Sequence, residues 1–182
     1  MDISVGSFDF AKRRDETVIV LVEVERDGML TVQYIESLQG SGKNRTMIDY
    51  SDQIGRIGQI CEAFSVRKFE ADETTVGIPV VEDLCRIMPQ TQGINFNAPM
   101  KLELASGLRA LLEQRRLKIP NNKKLIMQMN GLHYRVSKNG NMVFESPEKD
   151  KLHDDYLWAL TLACHAARQV DRSKPIFRTG FY

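Results

Sequence analysis

The segment that most limits what this chain can fold into is residues 17–25, TVIVLVEVE. Its β-branched side chains lose rotamer freedom in a helix and pack well on a pleated surface, so they predict a strand. Residues 3–10, ISVGSFDF, read as a shorter strand before it. After it, Asp27-Gly28 predicts a turn, and the alternation over residues 30–38 predicts a third strand. The three together predict a meander.

Beyond a polar loop at residues 39–45, Ile54, Ile57, Ile60, Cys61 and Phe64 recur at helical spacing, with Ser51 or Asp52 as the cap. Residues 66–71 return to strand. Pro79, Val80, Val81, Leu84, Ile87 and Met88 predict a second helix, closed by Pro89. A short strand at 93–96 precedes a long helix over 100–117, with Leu102, Leu104, Leu108, Leu111 and Leu112 inside. Asn130-Gly131 between the runs 124–129 and 132–137 predicts a hairpin, and Asn139-Gly140-Asn141 predicts another turn. The last helix is expected over 154–170. This order predicts an α/β protein, a mixed β-sheet flanked by helices on both faces. The domain is expected to occupy residues 1–170, with 171–182 as a C-terminal tail.

At 182 residues, 42% hydrophobic and 27% charged, the chain can bury a core and is not of disordered composition. Its formal charge of +1 supplies no global attraction to a polyanion, so any such ligand would be held by local basic patches. Cys61, Cys85 and Cys164 lie in apolar segments read as helical, which predicts buried, reduced thiols; with no CxxC pair, a structural zinc site is not expected. The first ten residues lack the pattern of a signal peptide, and no apolar run approaches the roughly 20 residues that span a bilayer. The expectation is a soluble, intracellular protein.

Three acidic positions carry the chemistry. Asp9 closes the first strand, where a carboxylate is costly unless it is paired or holds a cation; a turn aspartate is the ordinary alternative. Asp72 ends the strand in FEADETTVG, residues 69–77, and could equally cap a helix. Asp154 and Asp155 open the last helix, where they also complement its dipole. Asp155 shares a helical face with Ala159, Leu162, Ala163 and Ala166, small enough to let the helix lie close on a sheet. Asp154 shares one with Trp158, Thr161, His165 and Arg168, so it caps the helix or assists from the rim. Carboxylates at two strand ends and a helix start are what a two-metal phosphoryl-transfer site requires, its ions about 4 Å apart.

At these residues the sequence resembles the nuclease domain of phage-type terminase large subunits, in the ribonuclease H-like superfamily. Gly6-Ser7-Phe8-Asp9-Phe10, followed by Asp15-Glu16-Thr17-Val18, resembles the family's opening strand and the acidic-Thr start of its second. Asp72-Glu73-Thr74-Thr75-Val76-Gly77 resembles its Asp-x-Thr-Gly-x-Gly signature, with Thr75 in place of the usual glycine. His153-Asp154-Asp155, followed by Leu157-Trp158-Ala159-Leu160, resembles its terminal His-x-Asp helix motif. The resemblance implies a ribonuclease H-like fold and a two-metal endonuclease cutting double-stranded DNA with little sequence preference. It implies Asp9, Asp72 and Asp155 as catalytic ligands of two Mg²⁺ or Mn²⁺ ions, with Asp154 and Asp15 as additional candidates and Glu73 as a spare carboxylate. His153 is a candidate for orienting a phosphate, although a histidine beside a helix start is more often structural. Lys12, Arg13 and Arg14, and Lys123 and Lys124 at the base of the expected hairpin, are candidate DNA phosphate contacts. Implied partners are an ATPase motor domain, a portal and a small terminase subunit, with no membrane, in the cytoplasm of an infected host cell.

The segment Gly40-Ser41-Gly42-Lys43-Asn44 does not supply the motor's nucleotide site. Ser37 stands where a P-loop needs its first glycine, and Asn44 where it needs Ser or Thr. The chain is therefore expected to be a nuclease domain of a longer protein or a nuclease that works alone. Two alternatives remain: another ribonuclease H-like nuclease such as a Holliday-junction resolvase, and a non-catalytic binding module on the same fold.

Overall fold

The computed structural model describes residues 2–9, 17–38, 50–74, 77–136, 142–145 and 154–170. Strands β1 (Ile3–Asp9), β2 (Thr17–Val24) and β3 (Leu30–Leu38) form the expected antiparallel meander. Gly28 turns the second connection with φ +86°, and its N–H donates to the Glu25 carbonyl at 2.9 Å. Helix α1 (Tyr50–Ala63) leads to β4 (Lys68–Asp72), α2 (Gly77–Ile87), β5 (Thr91–Ile94) and α3 (Ala98–Glu113). The short β6 (Leu117–Lys118), helix α4 (Lys123–Gly131), hairpin β7 (His133–Val136) and β8 (Met142–Glu145), and helix α5 (Asp155–Gln169) complete the described order. Six strands form one sheet in the order β5-β4-β1-β2-β3-β6, with β4 parallel to both β1 and β5.

The β2 run is buried from Val18 to Val22 without interruption, as a central strand covered on both faces must be. On one face Val5, Val18, Val20 and Val22 pack with Leu157, Leu160 and Ala163 of α5, Leu108 and Leu111 of α3, and Leu125 of α4. On the other, Phe8, Ile19, Leu21 and Phe69 pack with Ile57 and Ile60 of α1 and Leu84 of α2. Gly6 lets the second layer close, because a Cβ there would lie 2.5 Å from Leu21 Cδ2 and 2.9 Å from Phe69 Cδ2. Cys61 and Cys164 are buried and Cys85 half-buried, all three as free thiols, and burial pushes the first two up to about 12.

Two expectations need correction. Residues 124–129 are not a strand, and Asn130-Gly131 is not a hairpin turn. They belong to α4, whose cap Asn122 accepts from the Leu125 N–H at 3.1 Å, and which turns Leu125 and Met129 to the core one helical turn apart. Asn-Gly serves a helix end as well as a tight turn, and here it ends a helix. The antiparallel pair lies later, with Val136 opposite Met142, and the expected turn at Asn139-Gly140-Asn141 lies outside the described residues. The long helix also differs from expectation. It ends at Glu113, Leu117 instead pairs with Leu30 to start β6, and Leu102 and Leu112 are exposed. Among the described residues no helix is long and apolar enough to cross a membrane.

Candidate functional site

Parallel pairing of β1 with β4 runs through Phe8 opposite Ala71, so the next residues, Asp9 and Asp72, leave adjacent strands at the same end of the sheet. Both belong to the face covered by α5, the opposite side from Phe8 and Ala71. Asp9 is buried at 8% exposure, and Asp155, the first residue of α5, is buried to the same degree. Burial first, then the charges of Asp155, Asp72 and Asp154, push the Asp9 carboxyl well above its ordinary value, with Lys101 opposing them. The structure thus brings the four carboxylates into one electrostatic neighbourhood.

The local roles of these residues differ from their ordinary alternatives. Asp72 does not cap α2, which begins five residues later. Its Oδ1 accepts from the Thr74 N–H at 2.8 Å, and Thr74 Oγ1 accepts from the Phe96 N–H at 2.9 Å, tying the loop after β4 to the end of β5. Asp154 holds the cap position of α5 but makes no capping hydrogen bond. Gln128 of α4 does that work, its Oε1 accepting from the Leu157 N–H at 3.0 Å. The Asp154 carboxylate instead accepts from Trp158 Nε1 at 2.7 Å.

Lys101 of α3 carries no sequence motif and was not among the expected residues. Its ammonium sits 5.0 Å from the Trp158 ring centroid and 5.7 Å from that of Phe96, close enough to Asp9 to favour its ionised form. Lys124, exposed in the first turn of α4, lies 5.5 Å over the ring of Tyr156, the residue after Asp155. Lys123 is exposed beside it, so both lie at a helix start and not at a hairpin base. Glu73 follows Asp72, its N–H bonded to the Ile94 carbonyl at 3.0 Å. Lys12, Arg13, Arg14, Asp15, Thr75, His153 and the segment 40–44 lie outside the described residues.

The donor set fits a hard divalent cation. Its groups are all carboxylate oxygens, and a buried Asp9 surrounded by like charge gains most from a cation placed among them. Among the described residues no three His, Cys, Asp or Glu side chains already stand at metal-holding spacing, so the carboxylates are neighbours and not a closed cage.

All four carboxylates fall inside the span, residues 6–167, matched by the model of the terminase RNaseH-like domain family. This chain belongs to that family. It is similar to the large terminase subunit of Thermus virus P23-45, 26% identical over 161 residues, which are 85% of this chain and 30% of that protein. The chain therefore spans about a third of the length of this curated relative. Its fold is that of the large terminase nucleases. The nuclease of thermophilic phage G20c superposes with a TM-score of 0.75 at 23% identity, over 93% of this chain and 83% of that one. The same nuclease solved with bound magnesium gives 0.75 at 23% identity, over 90% and 81%.

Proposed function

We propose that this terminase RNaseH-like domain is a two-metal endonuclease that cuts double-stranded DNA with little sequence preference, as the nuclease part of a DNA-packaging terminase large subunit. The observation that carries the reading is the gathering of Asp72, Asp154 and Asp155 around a buried Asp9. Asp9, Asp72 and Asp155 hold the ions, Mg²⁺ or Mn²⁺, and Asp154 assists while it anchors the Trp158 ring. Divalent cations held there by Asp9, Asp72 and Asp155 would supply Lewis-acid activation of water and charge stabilisation at the 3′ leaving oxygen. The aromatic floor of Phe96 and Trp158 holds Lys101 at the lip of the site, where its N–H groups are free to meet a phosphate oxygen. Lys123 and Lys124 lie on the helix that abuts the start of α5 and contact the DNA backbone, which sets position without reading sequence. Lys12, Arg13 and Arg14 extend that contact beyond Asp9. The ATPase motor, the portal and the small subunit are the partners of the whole protein, and its place of action is the cytoplasm of an infected host cell.

Supercoiled plasmid incubated with Mn²⁺, Mg²⁺ or EDTA tests this, with the wild type beside Asp9→Ala and Asp72→Ala. Metal-dependent nicking and linearisation that both substitutions abolish is the expected result. A folded wild type that leaves plasmid intact with either metal would remove the nuclease reading for the isolated chain. Cleavage confined to four-way junctions would favour a resolvase.

A further inference from the structure

One step inward from the acidic cluster lies a second row of polar groups that the cleavage chemistry does not use. Strand side chains alternate, so Ser7 shares a face of β1 with Asp9, and Glu70 shares a face of β4 with Asp72. Ser7 and Glu70 are register partners across the parallel pair, and both are fully buried. Each reaches α5. Ser7 Oγ donates to the carbonyl of Ala159. Glu70 Oε2 lies 2.7 Å from Nδ1 of the buried His165. A carboxylate only accepts, so Nδ1 donates to Glu70, while Nε2 lies 2.8 Å from the side-chain amide of Gln169 and 3.6 Å from Glu103 Oε1. The other Glu70 oxygen has no hydrogen bond, and the Lys68 ammonium stands 3.6 Å from it.

A buried carboxylate–imidazole pair is a poor source of stability, because desolvation opposes its attraction and an apolar pair of similar volume often does as well. What the pair supplies is direction. A hydrogen bond tolerates a narrow range of length and angle, whereas apolar surfaces slide over one another. Ser7 holds α5 one helical turn beyond Asp155, and Glu70 holds it six residues further along. Two anchored points fix both the rotation and the axial position of the helix that carries Asp155.

We propose that Ser7, Glu70 and His165 are positioning residues for the metal centre: they lock α5 against β1 and β4 so that Asp155 faces Asp9 and Asp72. This rests on the metal-binding reading above. The test is Mn²⁺ binding by titration calorimetry without DNA, paired with thermal melting in EDTA. Glu70→Leu/His165→Leu removes the pair as a unit, while His165→Asn keeps an N–H donor near the Nδ1 position. The double variant melts no lower than the wild type yet binds Mn²⁺ about tenfold more weakly, the low end of the effect of groups that orient metal ligands. His165→Asn restores most of the affinity. A folded double variant that binds Mn²⁺ like the wild type overturns the proposal. If the double variant fails to fold, Ser7→Ala decides: weaker Mn²⁺ binding supports the role, and unchanged binding overturns it. A wild type that binds no Mn²⁺ overturns the metal-centre reading itself, and the positioning role falls with it.

Discussion

On the α1–α2 side of the sheet, Phe8, Ile19, Leu21, Phe69 and Ala71 meet Ile57, Ile60 and Leu84. On the α5 side, Val5 and the β2 valines are apolar too, but the ends of β1 and β4 carry Ser7, Asp9, Glu70 and Asp72. Neighbouring residues of β1 and β4 thus serve opposite ends. Phe8 and Phe69 lower the free energy of the fold, while Asp9 and Glu70 are buried charge that raises it unless something compensates. At the ends of β1 and β4 burial of apolar surface and of charge is divided by strand parity, so substitutions one residue apart there should have effects of opposite kind.

Asp9→Asn carries the largest expected effect. On the proposed role of Asp9, losing a metal ligand worth several kcal/mol in the transition state slows plasmid cleavage about 10³-fold. Yet the metal-free protein melts higher, because a repelled buried charge is gone. A lower melting point would mean that Asp9 is compensated by a partner. Next, Phe69→Ala on the opposite face costs about 3–5 kcal/mol in urea unfolding, while the remaining folded protein binds Mn²⁺ normally. Weakened metal binding there would break the division between faces. Gly6→Ala adds a methyl group where Leu21 and Phe69 leave no room, and should cost about 1–3 kcal/mol in the same assay.

A smaller effect is on pH. The folded chain keeps the Asp9 proton after the unfolded chain has released it, so it binds more protons over that window. Metal-free stability therefore falls as pH rises from the ordinary aspartate value of about 4 through the raised one, then levels. Within the window the slope approaches about 1.4 kcal/mol per pH unit. Urea midpoints of the wild type minus those of Asp9→Asn isolate this slope, and a rise across the window would show that burial does not govern Asp9.

The meander and both strand-end aspartates are legible in the sequence because local chemistry decides them. The run 17–25 is too β-branched to prefer a helix, and Gly28 supplies the turn its position demands. Helical spacing groups Asp155 with Ala159, Ala163 and Ala166, all buried, but it reads the face of Trp158, Thr161 and His165 as the more polar one, and the structure buries that face as well. Helix α4 is not, since LIMQM between Asn122 and Asn130-Gly131 fits either period over so short a run, and only packing of Leu125 selects the helix. Lys101, Gln128 and the Glu70–His165 pair leave no local signal at all. Each gains its role from a partner brought by the fold from a distant segment, 95 positions away for Glu70 and His165.

The parallel register of β1 with β4 carries a last consequence. Were β4 to slip by one residue, its parity would invert: Phe69 and Ala71 would turn to α5, and Glu70 and Asp72 would be thrust among Ile57, Leu84 and Val80. No chain can misplace Asp72 in this way and still close its apolar layer. Errors in placing the acidic cluster therefore surface as unburied greasy side chains, the signal by which chaperones and proteases sort folded from misfolded protein. The strand pairing makes a displaced Asp72 visible to machinery that never probes the acidic cluster itself.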